Sequence, residues 1–504
     1  MKEPEEIFNS NEAEVLVLKP EEEQILNEPE EFWYLEDEEV KLNRQQFLSF
    51  LEKRGYRKYY VGKDYMFVQI ENNIVKEVTK VHIKDHIRDF IQGLGETTED
   101  GIRTCSIWGK VINQVGTLFS ANFLELIPNL EGEFKRDTET DSFIYYQNCF
   151  VWVTAKGYTT HNYTELDGYI WESQKVKRNF EKSDKESVFK KFILKICKDD
   201  PKRFNALKSA IGYLLQSHKD PANTKAIVFI DERPGDGANG RCGKSLVGKA
   251  ISKIRKSVRP DGKNFKFSQF MFQSVKPDTA IIDFNDVKKG FPFENLFSII
   301  TDDMAVEEKN KAEVIVPFER SPKILITTNH AIKGIDASTL DREFVIEFSD
   351  YFNEKHKPVD EFGKKFFEPF WNIEEWTSFD NFMIESLRYF LSNGLVEYDR
   401  INLFDKILIE STSEDFVEFI EDLEMDKKYD SKELFNEFLD VYPEQRTKLM
   451  QKTFTLWVKT FANIKGYKYI PKKSGRERGF ILSNLESGRM DDMKTGTGGE
   501  GDIF

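Results

Sequence analysis

Gly235-Asp236-Gly237-Ala238-Asn239-Gly240-Arg241-Cys242-Gly243-Lys244-Ser245 is the stretch that decides the fold. Five apolar residues, Ala226 to Ile230, run just ahead of it, and Leu246-Val247-Gly248-Lys249-Ala250 opens a helix-compatible segment just behind. Strand, glycine-rich loop, Gly-Lys-Ser and helix, in that order, are what a phosphate-binding loop requires. Glycines let backbone N–H groups turn inward around a phosphate, and the helix that follows adds the positive end of its dipole. Gly237, Gly240 and Gly243 are the expected phosphate-facing positions. Lys244 is expected to reach the β- and γ-phosphates and Ser245 to ligate Mg²⁺, so ATP and Mg²⁺ are the expected cofactors. A four-residue spacer counted back from Gly243 lands on Ala238, so Gly237 leaves the loop one residue longer than the usual pattern.

A second apolar run, Thr279-Ala280-Ile281-Ile282-Asp283-Phe284-Asn285-Asp286, ends in polar residues. Phosphoryl transfer needs one carboxylate near the metal and a group that orients the attacking water. Asp286, at the strand's end, is the expected catalytic carboxylate. Asn285 stands where a second acid is expected, so Ser245, Asp283 and Asp286 are together the candidate Mg²⁺ set, with the choice between the two acids open. A third run, Lys323 to Thr328, ends at Asn329, and Asp341-Arg342-Glu343 precedes the strand-like Phe344 to Phe348.

In this order these features resemble a superfamily-3 helicase, and in particular the helicase part of phage and plasmid primase-helicases, the group that includes the poxvirus primase-helicase. The resemblance covers roughly residues 190–352. It implies a P-loop AAA+-like ATPase domain with a central parallel sheet, and a ring, expected to be a hexamer, around single-stranded or forked DNA. It also implies roles: Asn329 senses the γ-phosphate, and Arg342 completes a neighbouring subunit's site. Lys309 and Lys311, in the turn between two strand-like runs of Met304 to Val316, are the expected channel contacts with DNA. A DNA-packaging or initiator-type ATPase that binds duplex without unwinding it is the alternative, and a non-enzymatic scaffold with a nucleotide site the third reading.

The chain has 504 residues, 39% of them hydrophobic, enough for several cores. No apolar run approaches the length of a membrane span, the first residues lack a signal-peptide core, and the four cysteines are isolated. A soluble cytoplasmic protein is expected, in a bacterial host if phage-encoded. Residues 1–42 carry 15 acids against three bases, and removing that −12 from the net −15 leaves only −3 for the rest. This tail reads as partly disordered, with two apolar islands, Val15 to Leu18 and Phe32 to Leu35, each a candidate to dock on the body or on a partner.

Between Arg446 and Arg478 the balance reverses to ten bases and one acid. Helix-like Ser431 to Leu439, with Ser431 read as its cap, and Thr453 to Ala462 precede a hairpin-like Tyr467 to Leu482 with a basic tip. Helices followed by a basic hairpin suggest a small winged-helix-like module, with Lys472, Lys473, Arg476 and Arg478 as DNA contacts. The acidic, hydrophobic end Asp502-Ile503-Phe504 is a pointer to a replisome partner.

The expected division is a 1–42 tail, a 43–177 α+β region, a 178–222 helical collar, a 223–352 ATPase domain, a 353–425 helical connection, a 426–484 basic module and a 485–504 flexible tail. Asp85-His86 in the α+β region reads as a surface pair, and no primase constellation is found there.

Overall fold

The computed structural model describes residues 31–232, 241–307, 309, 313–330, 337–399, 403–474 and 477–484. Residues 1–30, with the first apolar island, and the 485–504 tail lie outside them. Two compact units divide at Gly132/Glu133, inside the stretch grouped on sequence as 43–177.

The first unit holds hairpin β1 (Trp33–Glu36) and β2 (Glu39–Leu42), helix α1 (Arg44–Lys53), antiparallel strands β3 (Tyr56–Val61), β4 (Asp64–Glu71) and β5 (Ile74–Val78), and helices α2 (Lys80–Gly93) and α3 (Thr104–Asn113). Asn43 caps α1 by accepting from the N–H groups of Gln45 and Gln46. The second apolar island docks on this core through its first two residues, while Tyr34 and Leu35 are exposed. Phe32 and Trp33 are buried, with the Phe32 ring edge-on to Phe47 and Phe50. His86 is half-buried: it packs against Tyr56 and Phe50, and burial, with Arg54 nearby, pushes its pKa below the ordinary histidine value.

The second unit opens with an antiparallel meander, β6 (Asp141–Tyr145), β7 (Phe150–Thr154) and β8 (Gly157–His161). Helices α4 (Val188–Ile196) and α5 (Pro201–Leu215) follow, the latter with Asp200 as its cap and Pro201 in its first turn. Its centre is β9 (Ala226–Asp231), α6 (Lys244–Ser252), β10 (Ser257–Val258), β11 (Ile281–Val287), β12 (Met304–Val306), β13 (Val314–Val316), β14 (Lys323–Thr328), α7 (Ala337–Arg342) and β15 (Glu343–Phe348). Five of these strands form one parallel sheet in the order β10-β11-β14-β9-β15.

Burial alternates along the sheet as a strand's period of two demands. Ile227, Phe229, Leu325 and Ile346 face one core with α4, α5 and α6, while Val228, Ile230, Ile326 and Val345 face another. Both faces are covered, which is why these runs are almost wholly apolar. Helix α8 (Ile373–Asn393) lies on α5, and the approach is so close that a Cβ on Gly212 would fall 2.2 Å from the Ser386 carbonyl oxygen.

The C-terminal part contains α9 (Leu403–Ser411), α10 (Glu414–Glu421), β16 (Lys428–Asp430), α11 (Ser431–Val441), α12 (Gln451–Lys465) and hairpin β17 (Tyr467–Ser474) and β18 (Glu477–Asn484). Strand β16 pairs with β18, giving a three-stranded antiparallel sheet beside the helices. The cap of α11 is Asp430, not Ser431: its Oδ1 accepts from the N–H groups of Lys432 and Glu433 at 2.8 and 3.0 Å. Asp430 has the extended backbone a cap needs, whereas Ser431 is already inside the helix.

Candidate functional site

Parallel strands send all their C-terminal ends to one edge, and the loops there converge. On this edge β9 ends in Asp231, β14 in Thr328 followed by Asn329, and β11 in Asn285-Asp286-Val287. Helix α6 starts above them. Gly243, its cap, has φ +103°, and a Cβ there would sit 2.6 Å from the Phe192 ring of α4. Glycine is required at this position by both conformation and space.

Lys244 is buried and its Nζ donates to Asn329 Oδ1 at 2.8 Å and to Asp231 Oδ1. Cys242 Sγ donates to the same Asp231 oxygen, and burial pushes its thiol up to about 12. The second oxygen, Asp231 Oδ2, is buried with no hydrogen-bond partner among the described residues. Beside them Ser245, exposed on the first turn of α6, donates to Asn285 Oδ1 at 2.8 Å, an oxygen that Thr327 Oγ1 also approaches at 3.3 Å.

The two candidate acids each have a basic partner of their own. Asp283 is buried, its carboxylate held by Arg259 Nε at 2.9 Å, and it lies so near α6 that a Cβ on Gly248 would be 2.8 Å from it. Desolvation outweighs Arg259 and raises its pKa above the usual carboxylate value. Asp286 sits where the β11–β14 pairing slips, with φ +59° and its N–H given to Thr327 Oγ1 at 2.8 Å. Its carboxylate is solvent-facing, 2.7 Å from Lys263 Nζ. A left-handed aspartate on a bulge is the local departure that turns this side chain out of the strand's alternation.

The structure therefore brings Lys244, Ser245 and Asn329 together, adds Asn285 to them, and leaves Asp283 paired with Arg259. Arg342 lies at the opposite edge of the sheet: Glu343, next to it, pairs with Ala226, while Phe348 pairs with Asp231. It stacks 4.7 Å over the Phe297 ring and donates to the Ser338 carbonyl at 3.0 Å. Strands β12 and β13 pair antiparallel with Lys309 exposed between them. Lys472, Lys473 and Arg478 are exposed near the turn of the β17–β18 hairpin. Gly237, Gly240, Lys311 and Arg476 lie outside the described residues.

Three residues at the site went unread in the sequence. Asp231 ends an apolar run directly before the loop, a signal that was there to find. Thr327 and Lys406 carried none, because their relevance comes only from strand order and from a helix far along the chain. Lys406, on α9, is buried with its Nζ 3.3 Å from the Asp231 carbonyl oxygen.

A parallel five-stranded sheet with Gly-Lys-Ser at its C-terminal edge is compatible with a P-loop-like domain. No protein-family model and no curated protein matches the chain. Among solved structures it is similar to two of the NrS-1 C-terminal region in apo form, each at 14% identity. They cover 87% of this chain and 99% and 98% of theirs, with TM-scores of 0.39 and 0.38. It is also similar, at 12% identity and a TM-score of 0.26, to a small-molecule complex of JCV helicase, over 40% of this chain and 53% of that one.

Proposed function

We propose that this chain is an ATP-dependent DNA helicase of the superfamily-3 type, which binds a nucleoside triphosphate with Mg²⁺ at the C-terminal edge of its parallel sheet. The observation that carries the reading is the junction of Lys244 Nζ with Asn329 Oδ1 at 2.8 Å, beside the Ser245–Asn285 pair at 2.8 Å. A lysine at the start of a helix, next to an amide on a neighbouring strand, is an arrangement suited to a γ-phosphate and its attacking water.

The donor set fits the proposed group. Among the described residues no three His, Cys, Asp or Glu side chains converge on a metal site. Ser245 hydroxyl, Asn285 amide oxygen and the solvent-facing Asp286 carboxylate are hard oxygen donors, the kind Mg²⁺ takes while keeping several waters. Mg²⁺, when bound, neutralises charge on the β- and γ-oxygens. Lys244 supplies a second cation there, Asn329 orients water, and Asp286 polarises it. Arg342, at the far edge of the sheet, serves the site of a neighbouring copy in a ring, expected to be hexameric. Lys309 and Lys311 contact one DNA strand, and Lys472, Lys473, Arg476 and Arg478 of the basic module grip phosphates.

The test is ATP hydrolysis by the wild type and Lys244→Ala, with and without single-stranded DNA, beside unwinding of a forked duplex. DNA-stimulated turnover with unwinding, both reduced by roughly 100-fold or more in the variant, is expected. Turnover without unwinding would move the assignment to a DNA-binding packaging or initiator-type ATPase, and no turnover would leave a structural nucleotide site.

A further inference from the structure

The buried charges around Asp231 do not balance once a phosphate arrives. In the present arrangement its carboxylate, 6% exposed, is neutralised through one oxygen by Lys244, while Oδ2 has no partner among the described residues. If Lys244 turns to a phosphate, Asp231 loses that cation. A buried carboxylate left without a counter-ion is strongly destabilised.

Among the described residues a second buried cation lies beside Asp231. Lys406 comes from α9, far along the chain, and is 1% exposed, with Nζ 3.3 Å from the Asp231 backbone oxygen. Its neighbour Ile407 packs into the core of the sheet, which fixes the helix there. Glu410, one turn on, lies 3.7 Å from His330, the residue after Asn329, so α9 touches the ends of both site strands. Asp405 accepts from Lys465 of α12 at 2.8 Å, tying the same helix to the basic module. Burial holds the Lys406 ammonium down to about 8, against the pull of Asp231 and Glu410 and with Lys244 opposing them. Among the described residues this buried lysine donates only to a carbonyl, at 3.3 Å, on the residue whose carboxylate Lys244 would leave.

We infer that Lys406 is the exchange counter-ion of the site: it takes over Asp231 through Oδ2 when Lys244 turns to a bound phosphate. This rests on the nucleotide-binding reading above. Lys406 is thereby a positioning residue, since it touches neither phosphate nor water and acts by freeing Lys244. The exchange also gives α9 a different hold on the site in the two states.

The experiment measures affinity for ATP with Mg²⁺ and melting temperature for the wild type, Lys244→Ala, Lys406→Met, Asp231→Asn and the double variant Asp231→Asn/Lys406→Met. Nucleotide-free Lys406→Met should melt no lower than the wild type, because Lys244 still pairs Asp231 and a desolvated charge has gone. Its ATP affinity should fall by about 100-fold, the scale of an uncompensated buried charge. The double variant should bind within about threefold of Asp231→Asn, since no carboxylate remains to be stranded. Unchanged affinity in Lys406→Met overturns the inference, as does a double variant as much weaker than Asp231→Asn as Lys406→Met is weaker than the wild type. So does a lowered melting temperature with an undiminished rise on adding ATP, the mark of a purely structural lysine. Should Lys406→Met not fold, Lys406→Arg replaces it and should keep affinity within about tenfold. Equal binding by Lys244→Ala and the wild type would instead overturn the parent nucleotide reading, and the exchange with it.

Discussion

The C-terminal edge of the parallel sheet and the basic hairpin of the C-terminal module hold positive charge in opposite ways. At the sheet edge Lys244 and Lys406 are buried, each within hydrogen-bonding distance of atoms belonging to other elements. On the hairpin Lys472, Lys473 and Arg478 are exposed on two strands in register, Lys473 directly opposite Arg478. A buried cation with fixed partners acts at one point and is little screened by salt. Exposed cations act as a group, on a ligand whose charge is spread along a chain, and salt weakens them steeply. The same residue type is thus suited to a small anion in one region and to a polyanion in the other.

That contrast would break most visibly if a cation belonging to neither region governed turnover. Arg342→Ala is expected to reduce ATP hydrolysis by roughly 1,000-fold while nucleotide affinity stays within about threefold, because the side chain lies at the far edge from its own Lys244. Mixing Arg342→Ala with Lys244→Ala should recover part of the lost turnover if each site draws on two copies. Normal turnover in Arg342→Ala, or no recovery on mixing, refutes a shared site.

The hairpin prediction sharpens the contrast from its other side. Replacing Lys472, Lys473 and Arg478 together by Ala should weaken single-stranded DNA binding roughly tenfold near physiological salt. The slope of log K against log salt should become shallower by about 2 for three lost phosphate contacts. DNA-independent hydrolysis should not move. An unchanged salt slope would mean that the hairpin does not meet phosphates.

How much of this was legible in the sequence follows the same division. The parallel sheet and the Gly-Lys-Ser edge were readable because they depend on local order: an apolar run, a glycine turn and a helix. The pairing of Asn329 with Lys244 was anticipated only as a role, and the spacing could not say that the two would meet at 2.8 Å. Asp283 and Asp286 differ by three positions, yet one is held under Arg259 and the other is turned outward by a bulge with positive φ. No alternation pattern contains a bulge, so the strand read as regular. Phe32 and Trp33 stood out as an apolar island in an acidic stretch, but composition could not choose between docking on the body and on a partner, which the packing of the two rings decides. Lys406 could not be read at all, since its meaning comes from a contact with a residue 175 positions away.

Burial of a lysine is not by itself a mark of function, and Lys219 provides the control. Its Nζ donates to Ser321 Oγ at 2.6 Å and lies 4.3 Å over the Phe318 ring, away from the C-terminal edge of the sheet. Burial lowers it from the ordinary 10.5 to about 8. Between those two values the unfolded chain binds the proton that the folded chain has released, so raising the pH through this window favours folding. Wild-type stability measured relative to Lys219→Met should therefore rise from pH 8 towards 10.5, by at most about 1.4 kcal/mol per pH unit, and be flat below pH 8. ATP affinity of Lys219→Met, measured at pH 7, should match the wild type, in contrast to Lys406→Met. A flat difference across the window would mean that Lys219 stays charged in its pocket and that its partners, Ser321 and the Phe318 ring, compensate fully for lost water. A loss of ATP affinity would mean that buried lysines in this unit act on the site wherever they lie, and the special position of Lys406 would disappear.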